Sequence, residues 1–425
     1  MAIDNKDKKV LKSSIEREQN EVACSAECEK IKGSKNLNVP HLRFPEFSGE
    51  WKKVNVSKLL DFYSTNSLSW EQLDYNNGKI KNLHYGLIHK GLSTMIDVFS
   101  ASLPYIKEGT IPKSYTLFKE GDVAFADASE DTNDVAKAIE VINCDGQQIV
   151  SGLHTIHGRD NSNQTVIGYK GYAFASDSFH KQIRRIAQGT KVFSISIRNF
   201  DEVYIGVPSK DEQTKIAKLL IAIDERIATQ NKIIEDLKKL KSAISLKMLH
   251  SDSWEQFKIQ DIASIGRGRV ISSVEISQQE NPLYPVYSSQ TSNDGIMGYL
   301  DDFMFEGEYI SWTTDGANAG TVFYRNGKFN CTNVCGLLKL KKGFDAHFVS
   351  LVLAEATRMY VSTNLANPKL MNNTMGNIQI RLPKLEEQKR ISVVFRKLHG
   401  LLETHNSLII KYSKQKQYLL SQMFI

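Results

Sequence analysis

The sequence lacks the long apolar runs and the cysteine content that would place the protein in a membrane or in an oxidising compartment. Nowhere in the 425 residues do 18 apolar residues follow one another, so we expect no transmembrane helix. The N-terminal segment has no apolar core, which excludes a secretory signal. The five cysteines are few and odd in number, which is typical of a reducing compartment. We therefore expect a cytoplasmic protein.

Motifs for self-contained catalysis are also missing. No G-x-x-x-x-G-K-[ST] segment occurs, which excludes the common P-loop and an ATP-driven nuclease built on it. Residues 281–284 read Asn-Pro-Leu-Tyr, but the base-gripping loop of amino-methyltransferases has Pro at the third position. The pairs Cys24/Cys28 and Cys331/Cys335 have a spacing inside the loose range for zinc, but the first pair lies in the N-terminal leader. We predict neither catalytic residues nor a metal site.

Positive charge is concentrated on two short segments. The formal net charge is +6. Residues 209–250 carry nine Lys/Arg against six Asp/Glu, and residues 384–425 carry eight against three. Basic helices of this kind favour contact with a polyanion, although solvated lysine-rich helix faces would give the same count.

The same two segments belong to an internal repeat. Residues 203–250 and 378–425 align without a gap, and 11 of the 48 aligned positions are identical. In each copy apolar residues recur at alternating steps of four and three, which predicts a pair of coiled-coil helices. The predicted seam residues are Ile216, Leu220, Ile223, Ile227, Gln230, Ile234 and Leu237 in the first copy and Ile391, Phe395, Leu398, Leu402, His405, Ile409 and Tyr412 in the second. Polar exceptions fall at matching places, which would fix the register of an antiparallel pair.

A second repeated block opens each half of the chain. Trp51 is followed by Val54 and Val56, and Trp254 is followed by Phe257 and Ile259. This alternation predicts a half-buried strand that contains both apolar residues. Between the blocks the two halves diverge, and short apolar runs alternate with turn residues. We therefore predict a mixed α/β (α+β) fold with two globular domains and two long helices.

The order of these parts resembles the specificity (S) subunit of type I restriction–modification systems. The motifs that carry the resemblance are Val-Pro-His-Leu-Arg-Phe-Pro at 39–45, followed by Trp51, and a Pro…Asp/Glu-Glu-Gln step at 208–213 and 383–388. The resemblance covers about residues 39–425. It implies target-recognition domains at 39–208 and 251–383 and shared helices at 209–250 and 384–425. Residues 1–38 depart from the family pattern, and we expect them to be a polar leader, either disordered or an added segment.

The resemblance also implies a non-catalytic role. Each target-recognition domain would read one half of a split, asymmetric site in double-stranded DNA, and the antiparallel helices would set the spacer. The helices would dock two modification (M) subunits, which bind S-adenosylmethionine and methylate adenine, and restriction (R) subunits that use ATP and Mg²⁺ would join them. The chain itself would bind no cofactor and no membrane. The alternatives are a stand-alone DNA methyltransferase or nuclease, and a coiled-coil scaffold that does not bind DNA.

Base reading requires side chains that hydrogen-bond to groove edges, and such residues cluster in polar loops of both halves. For each of them the alternative is an ordinary solvated loop residue. The candidate DNA-contacting residues are Tyr85, Lys90, Ser129, Thr132, Asn133, Lys191 and Ser194 in the first half and Ser288, Ser289, Gln290, Thr313, Thr314, Asn318, Asn367 and Lys369 in the second.

Overall fold

The computed structural model describes residues 38–362 and 367–425. These residues form two units by their contacts: unit 1 consists of residues 38–228 with Ile410–Ile425, and unit 2 consists of Thr229–Ile409. Apart from Asn38, the predicted leader lies outside the described residues, and Cys24 and Cys28 lie there with it. Both units contain helices and sheets, so the predicted mixed α+β fold is confirmed. No described helix is both long and apolar enough to cross a bilayer.

Unit 1 begins with short strands and ends in a long helix. Its strands are β1 (Lys52–Asn55), β2 (Asp61–Tyr63), β3 (Leu73–Asp74), β4 (Ile80–Leu83), β5 (Met95–Asp97), β6 (Tyr105–Ile106), β7 (Val123–Ala126), β8 (Ala128–Ser129), β9 (Ala138–Asn143), β10 (Gln148–Ser151), β11 (Thr155–Arg159), β12 (Phe193–Ser194) and β13 (Tyr204–Val207). Its helices are α1 (Val56–Leu59), α2 (Tyr85–His89), α3 (Lys170–Phe174), α4 (Asp177–Ile186) and the first part of α5 (Lys210–Met248).

Unit 2 has the same plan with fewer strands. Its strands are β14 (Glu255–Lys258), β15 (Ala263–Arg267), β16 (Tyr284–Tyr287), β17 (Ile296–Leu300), β18 (Phe305–Glu306), β19 (Tyr309–Thr313), β20 (Val322–Arg325), β21 (Lys328–Cys331), β22 (Cys335–Leu340) and β23 (Gln379–Leu382). Its helices are the rest of α5 from Thr229, α6 (Ile259–Ile262), α7 (Ser273–Ser277), α8 (Ala346–Ala356), α9 (Asn372–Asn377) and most of α10 (Leu385–Gln422). The residues of α10 from Ile410 onward belong to unit 1.

The globular part of each unit is built on small β-sheets. Unit 1 contains a five-stranded sheet in the order β2-β11-β7-β9-β5 and a four-stranded sheet in the order β10-β4-β6-β3. Unit 2 contains two four-stranded sheets, β15-β22-β19-β20 and β17-β16-β21-β18. In each unit the strand before the long helix pairs antiparallel with the strand that opens the half, β13 with β1 and β23 with β14.

The repeated block after each tryptophan is partly helical, which corrects the predicted strand. β1 ends at Asn55 and β14 ends at Lys258, so Val56 and Ile259 lie in α1 and α6 instead of in a strand. Both residues are buried together with the apolar residue three positions later. Residues i and i+3 share one face of a helical turn, so both apolar residues can be buried in a helix. The two-residue alternation alone was therefore a misleading guide to a strand.

The long helices α5 and α10 pair antiparallel within each unit. In unit 1, Lys416 Nζ near the end of α10 lies 2.7 Å from Asp224 Oδ1 in the first half of α5. In unit 2, the ring of His405 lies 2.5 Å from Gln230 Oε1, so the two matching polar seam residues contact each other. The predicted seam residues Ile216, Leu220, Ile223, Ile234, Ile391, Phe395 and Leu398 are buried, and Ile227, Leu237, Leu402, Ile409 and Tyr412 are half-buried.

The start of each long helix is attached to its globular part by an equivalent glutamine. The Oε1 atom of Gln213 accepts a hydrogen bond from the N–H of Val166 at 2.9 Å, and that of Gln388 accepts one from the N–H of Asp345 at 2.9 Å. Each glutamine also donates to the carbonyl of the proline five residues before it. Both side chains are buried. Because the partners are main-chain atoms, this joint does not depend on which side chains the globular parts carry.

Candidate nucleic-acid interface

Segments of unit 1 that are distant in sequence meet at one polar surface. Strand β8 pairs antiparallel with β12, which sets Ser129 opposite Phe193. Tyr85 and Lys90, at the two ends of α2, line a cavity of about 560 Å³ together with Ser129. The loop after β8 and the residues around β12 hold the remaining predicted residues of this unit, Thr132, Asn133, Lys191 and Ser194. The structure therefore brings Tyr85, Lys90 and Ser129 together and sets Ser194 on the strand that pairs with β8, whereas the other three candidates lie in the adjoining loops.

Two aromatic residues at this surface were missed by the sequence analysis. Trp70 is 41% exposed, and its ring centroid lies 5.8 Å from Lys90 Nζ. The ring of His154 lies 5.1 Å from that of Tyr85, and its Nδ1 atom lies 3.1 Å from Asp127 Oδ1. Burial raises the pKa of the Asp127 carboxyl above its ordinary value, although His154 opposes the shift. An exposed aromatic ring beside a cation is a surface on which a base can stack.

A buried ionic cluster supports the five-stranded sheet of unit 1. Asp122 precedes β7, and its carboxylate accepts hydrogen bonds from Arg159 Nε at 2.8 Å and from Arg159 Nη2 at 2.6 Å. His157 Nε2 lies 2.8 Å from the same carboxylate, and its ring stacks on Phe118. Burial alone would raise the pKa of Asp122, but the hydrogen bonds from Arg159 and His157 outweigh burial and hold this pKa below its ordinary value. The carboxylate is therefore ionised at neutral pH and pairs with both partners.

Replacing Asp122 by Asn is expected to destabilise unit 1 by about 3–5 kcal/mol at pH 7, because the change leaves Arg159 without its counter-ion. The pKa of Asp122 is lower in the folded state than in the unfolded state. Its contribution is therefore present above about pH 4 and is lost as the pH falls through the folded pKa. Urea unfolding between pH 7 and pH 3 should show the difference between wild type and variant shrinking below about pH 4. The exposed Asp201→Asn is the matched control, and an equal effect of both variants would contradict the prediction.

Loops of unit 2 converge in a similar way. Ser289 Oγ and Thr314 Oγ1 both donate to the carbonyl of Val334, which joins the loop after β16 to the end of β19. Asn318 Nδ2 donates to Thr291 Oγ1 at 3.1 Å. The N–H of Gly316 donates to the carbonyl of Pro368, which sets the exposed residues Asn367 and Lys369 beside the same loops. Ser288 and Gln290 flank Ser289 and are half-buried.

Two predicted residues of this group do not reach the surface. Thr313 is 1% exposed and Thr314 is fully buried, and their hydroxyls donate to the carbonyls of Asn318 and Val334. They hold the loops in place, and we leave them out of the candidate interface. Arg267 was missed: its Nε donates to Asn372 Oδ1 at 2.9 Å, and Nη1 donates to the carbonyl of Asn333 in the turn between β21 and β22.

The cysteines and histidines of the described residues do not form a metal centre. Within residues 38–362 and 367–425, no group of three or more His, Cys, Asp or Glu side chains is placed to hold a metal ion. Cys331 and Cys335 are buried free thiols on β21 and β22, two strands that belong to different sheets. The surfaces described above offer hydrogen-bonding side chains and aromatic rings, which suit recognition of a ligand.

Comparison with known proteins identifies the family. The chain is similar to two proteins of Mycoplasma pneumoniae that are named type I specificity subunits. One is 36% identical over 231 residues, which cover 52% of this chain and 96% of the relative. The other is 34% identical over 247 residues, which cover 54% of this chain and 90% of the relative. The chain belongs to the specificity subunits of type I restriction–modification systems. The family model described as "Type I restriction modification DNA specificity domain" matches residues 251–411 of this specificity subunit.

A solved structure supports the fold of this specificity subunit. The S subunit of a type I restriction–modification system from M. genitalium superposes with a TM-score of 0.64 at 16% identity, covering 91% of this chain and 99% of that chain. Subunits of this family are non-catalytic and recognise DNA for the complex in which they work. The alternative of a stand-alone methyltransferase or nuclease is therefore wrong, and the polar surfaces of units 1 and 2 are candidates for DNA contact.

Proposed function

We propose that this specificity subunit reads a bipartite, asymmetric site in double-stranded DNA. One target-recognition domain spans residues 39–208 and the other spans residues 251–383. The observation that carries this proposal is the combination of equivalent joints with different surfaces: Gln213 and Gln388 make the same main-chain contacts, whereas the loops of the two globular parts have unrelated sequences. Two globular parts that are attached to the long helices in the same way but differ in their loops suit the recognition of two different half-sites.

The loops that converge in each unit are proposed to contact bases. Hydroxyl and amide side chains can hydrogen-bond to groove edges, and lysines can bind phosphates without reading sequence. The proposed DNA-contacting residues are Tyr85, Lys90, Ser129, Thr132, Asn133, Lys191 and Ser194 of unit 1 and Ser288, Ser289, Gln290, Asn318, Asn367 and Lys369 of unit 2. Trp70, His154 and Arg267 join them because they lie at the same surfaces or support them.

The helices of residues 209–250 and 384–425 are proposed to set the spacer between the half-sites. A helix of about 40 residues is roughly 60 Å long, and its length is fixed by its hydrogen bonds. Half-site centres about 34 Å apart, one turn of DNA, lie within that length. The polar pairs Asp224–Lys416 and Gln230–His405 oppose sliding of one helix along the other.

The same helices are proposed to dock two modification subunits. In unit 2, large apolar side chains stay exposed on them: Leu240, Leu246, Val393 and Leu401, between 46% and 77% exposed. The modification subunits would supply S-adenosylmethionine and the pocket for an adenine that leaves the base stack, and restriction subunits would supply ATP and Mg²⁺ chemistry. Because its ligand is DNA, we place the complex in the cytoplasm.

Methylome sequencing tests this function. The chain is expressed with its modification subunit in a host that lacks other such systems. The expected result is a single split motif with methylated adenine in both halves and a fixed gap. Methylation without a fixed gap would contradict the proposed spacer. A complex that assembles but shows no salt-dependent DNA binding would favour the scaffold alternative, because phosphate contacts weaken steeply with salt.

A further inference from the structure

One lysine of the internal repeat has a carboxylate partner in unit 1, but the equivalent lysine of unit 2 lacks such a partner in the part of the chain that the structure describes. In unit 1, Lys416 Nζ lies 2.7 Å from one carboxylate oxygen of Asp224 and 2.8 Å from the other. The hydroxyl of Tyr172 donates to the same carboxylate at 2.8 Å. Tyr172 is fully buried, so lysine, carboxylate and phenol fill this part of the helix interface.

The equivalent residues of unit 2 have different chemistry. The repeat offset of 175 pairs Lys416 with Lys241 and Asp224 with His399. Val166 and Asp345 make the equivalent contacts to the glutamine joints, so Tyr172 corresponds to Leu351, six residues after Asp345. Lysine is retained, the carboxylate is replaced by an imidazole, and the phenol is replaced by a smaller aliphatic side chain.

A cavity lies where these replacements occur. It has a volume of about 360 Å³, and Lys241, Leu351, His347 and His399 are among the residues that line it. Among the described residues, no side chain forms an ion pair or hydrogen bond with Lys241, which is half-buried. An ammonium group that lines a cavity without a counter-ion can accept a new partner, and a carboxylate provides a charge-assisted one.

The acidic groups around this cavity are already paired. Asp294 accepts from Arg325 Nη1 at 2.9 Å, and Glu403 Oε1 lies 3.2 Å from His399 Nε2. Glu308 accepts from the Tyr324 hydroxyl and lies 3.8 Å from Arg396. Asp345 accepts the N–H of Phe348 at the start of α8 and the hydroxyl of Ser392. None of these carboxylates contacts Lys241 within ion-pair distance.

We propose that this cavity binds a carboxylate, with Lys241 as its ion-pair partner. The carboxylate occupies the place that Asp224 holds in unit 1. Two sources share this chemistry: an Asp or Glu side chain of a modification subunit docked on the helices, and a small free carboxylate. The first source rests on the proposed function, and the second does not.

His347 provides a spectroscopic probe of the site. Its Nδ1 atom lies 3.2 Å from Ser392 Oγ, and its ring packs edge-on against Tyr324. Burial, together with the positive charge of Arg396 and smaller effects of His399 and Lys241, lowers the pKa of His347 to about 4, while Asp345 opposes the shift. A bound negative charge favours the imidazolium, so the carboxylate should raise this pKa.

The first experiment titrates the full chain with sodium acetate at constant ionic strength and follows the His347 ring protons by NMR. Saturable shifts and a rise in the pKa of His347 are expected, and Lys241→Met should weaken acetate binding by about tenfold or more. Lys241→Arg should restore binding because it restores the charge. Lys239→Met, an exposed lysine of the same helix, is the matched control and should behave as wild type. Thermal unfolding of each variant verifies that it folds.

The second experiment measures the affinity of the chain for its modification subunit with the same variants. A loss of about tenfold in Lys241→Met alone, with competition by acetate, assigns the carboxylate to the partner. Acetate binding that depends on Lys241 while assembly is unchanged assigns it to a free carboxylate. If neither acetate binding nor assembly depends on Lys241, the proposal is overturned. Methylation by the wild-type complex is recorded in parallel, so that failure of the proposed function is seen separately.

Discussion

Inserting four residues after Ala228 in α5 and four residues after Ile409 in α10 is expected to lengthen the gap of the methylated motif by one or two base pairs. Four helical residues add about 6 Å, and one base pair occupies about 3.4 Å. They also add about 40° of rotation beyond a full turn, and coiled coils accommodate such four-residue insertions locally. Both insertions fall where the contacts change from one unit to the other. Neither globular part is altered, so both half-sites should be retained.

Methylome sequencing of the insertion variant measures the length of the gap and identifies both half-sites. Inserting four residues into α5 alone is the control, because it shifts one seam against the other and separates Gln230 from His405. That variant should lose assembly or methylation. An unchanged gap in the double insertion would show that the helices do not set the spacer, and altered half-sites would show that the helices take part in base reading.

Exchanging residues 251–383 for the corresponding domain of a family member with a different target is expected to change one half of the motif and leave the other half and the gap intact. The joint to α10 uses the main chain of Asp345 and the side chain of Gln388, and Gln388 lies outside the exchanged segment. Strands β14 and β23 both lie within the exchanged segment, so their pairing is transferred as a unit. Methylation of the original half-site should be lost completely, since the exchanged domain recognises the new half-site in its place.

The reciprocal exchange of residues 39–208 is the matched control and should change only the other half. Restoring the original segment in the exchanged chain should return the first motif. If either exchange altered both halves while the complex still assembled, the division into two independent recognition domains would be wrong.

The helices were the part of the fold that the sequence predicted best. Their apolar residues recur at coiled-coil steps, and a long helix depends mainly on such local spacing. The matched polar positions predicted a fixed register, and the structure adds that Gln230 and His405 contact each other. Short segments were harder, because Val56 and Ile259 fit both a two-residue and a three-residue period, and only tertiary packing decides between them.

The polar surfaces were predicted less completely because residue type does not determine exposure. Thr313 and Thr314 have the chemistry for base reading, but the carbonyls of Asn318 and Val334 take up their hydroxyls in the interior. Trp70 would ordinarily be assigned to a core, but its ring lies against that of His84, just before α2, and stays 41% exposed. The partner of Lys416 is Asp224, almost 200 residues away, and no local pattern encodes that distance.

The core of unit 1 joins residues that lie far apart in the sequence. Leu419, Met423 and Phe424 belong to the same hydrophobic cluster as Trp51, and residues 229–409 separate them from the rest of the unit. A ribosome that adds roughly 5–20 residues per second needs about 10–40 s to make that intervening stretch. During this interval the apolar seam of the nascent α5 has no helical partner. Completion of the unit 1 core therefore waits for synthesis of residues 410–425, and chaperones have that time to act on it.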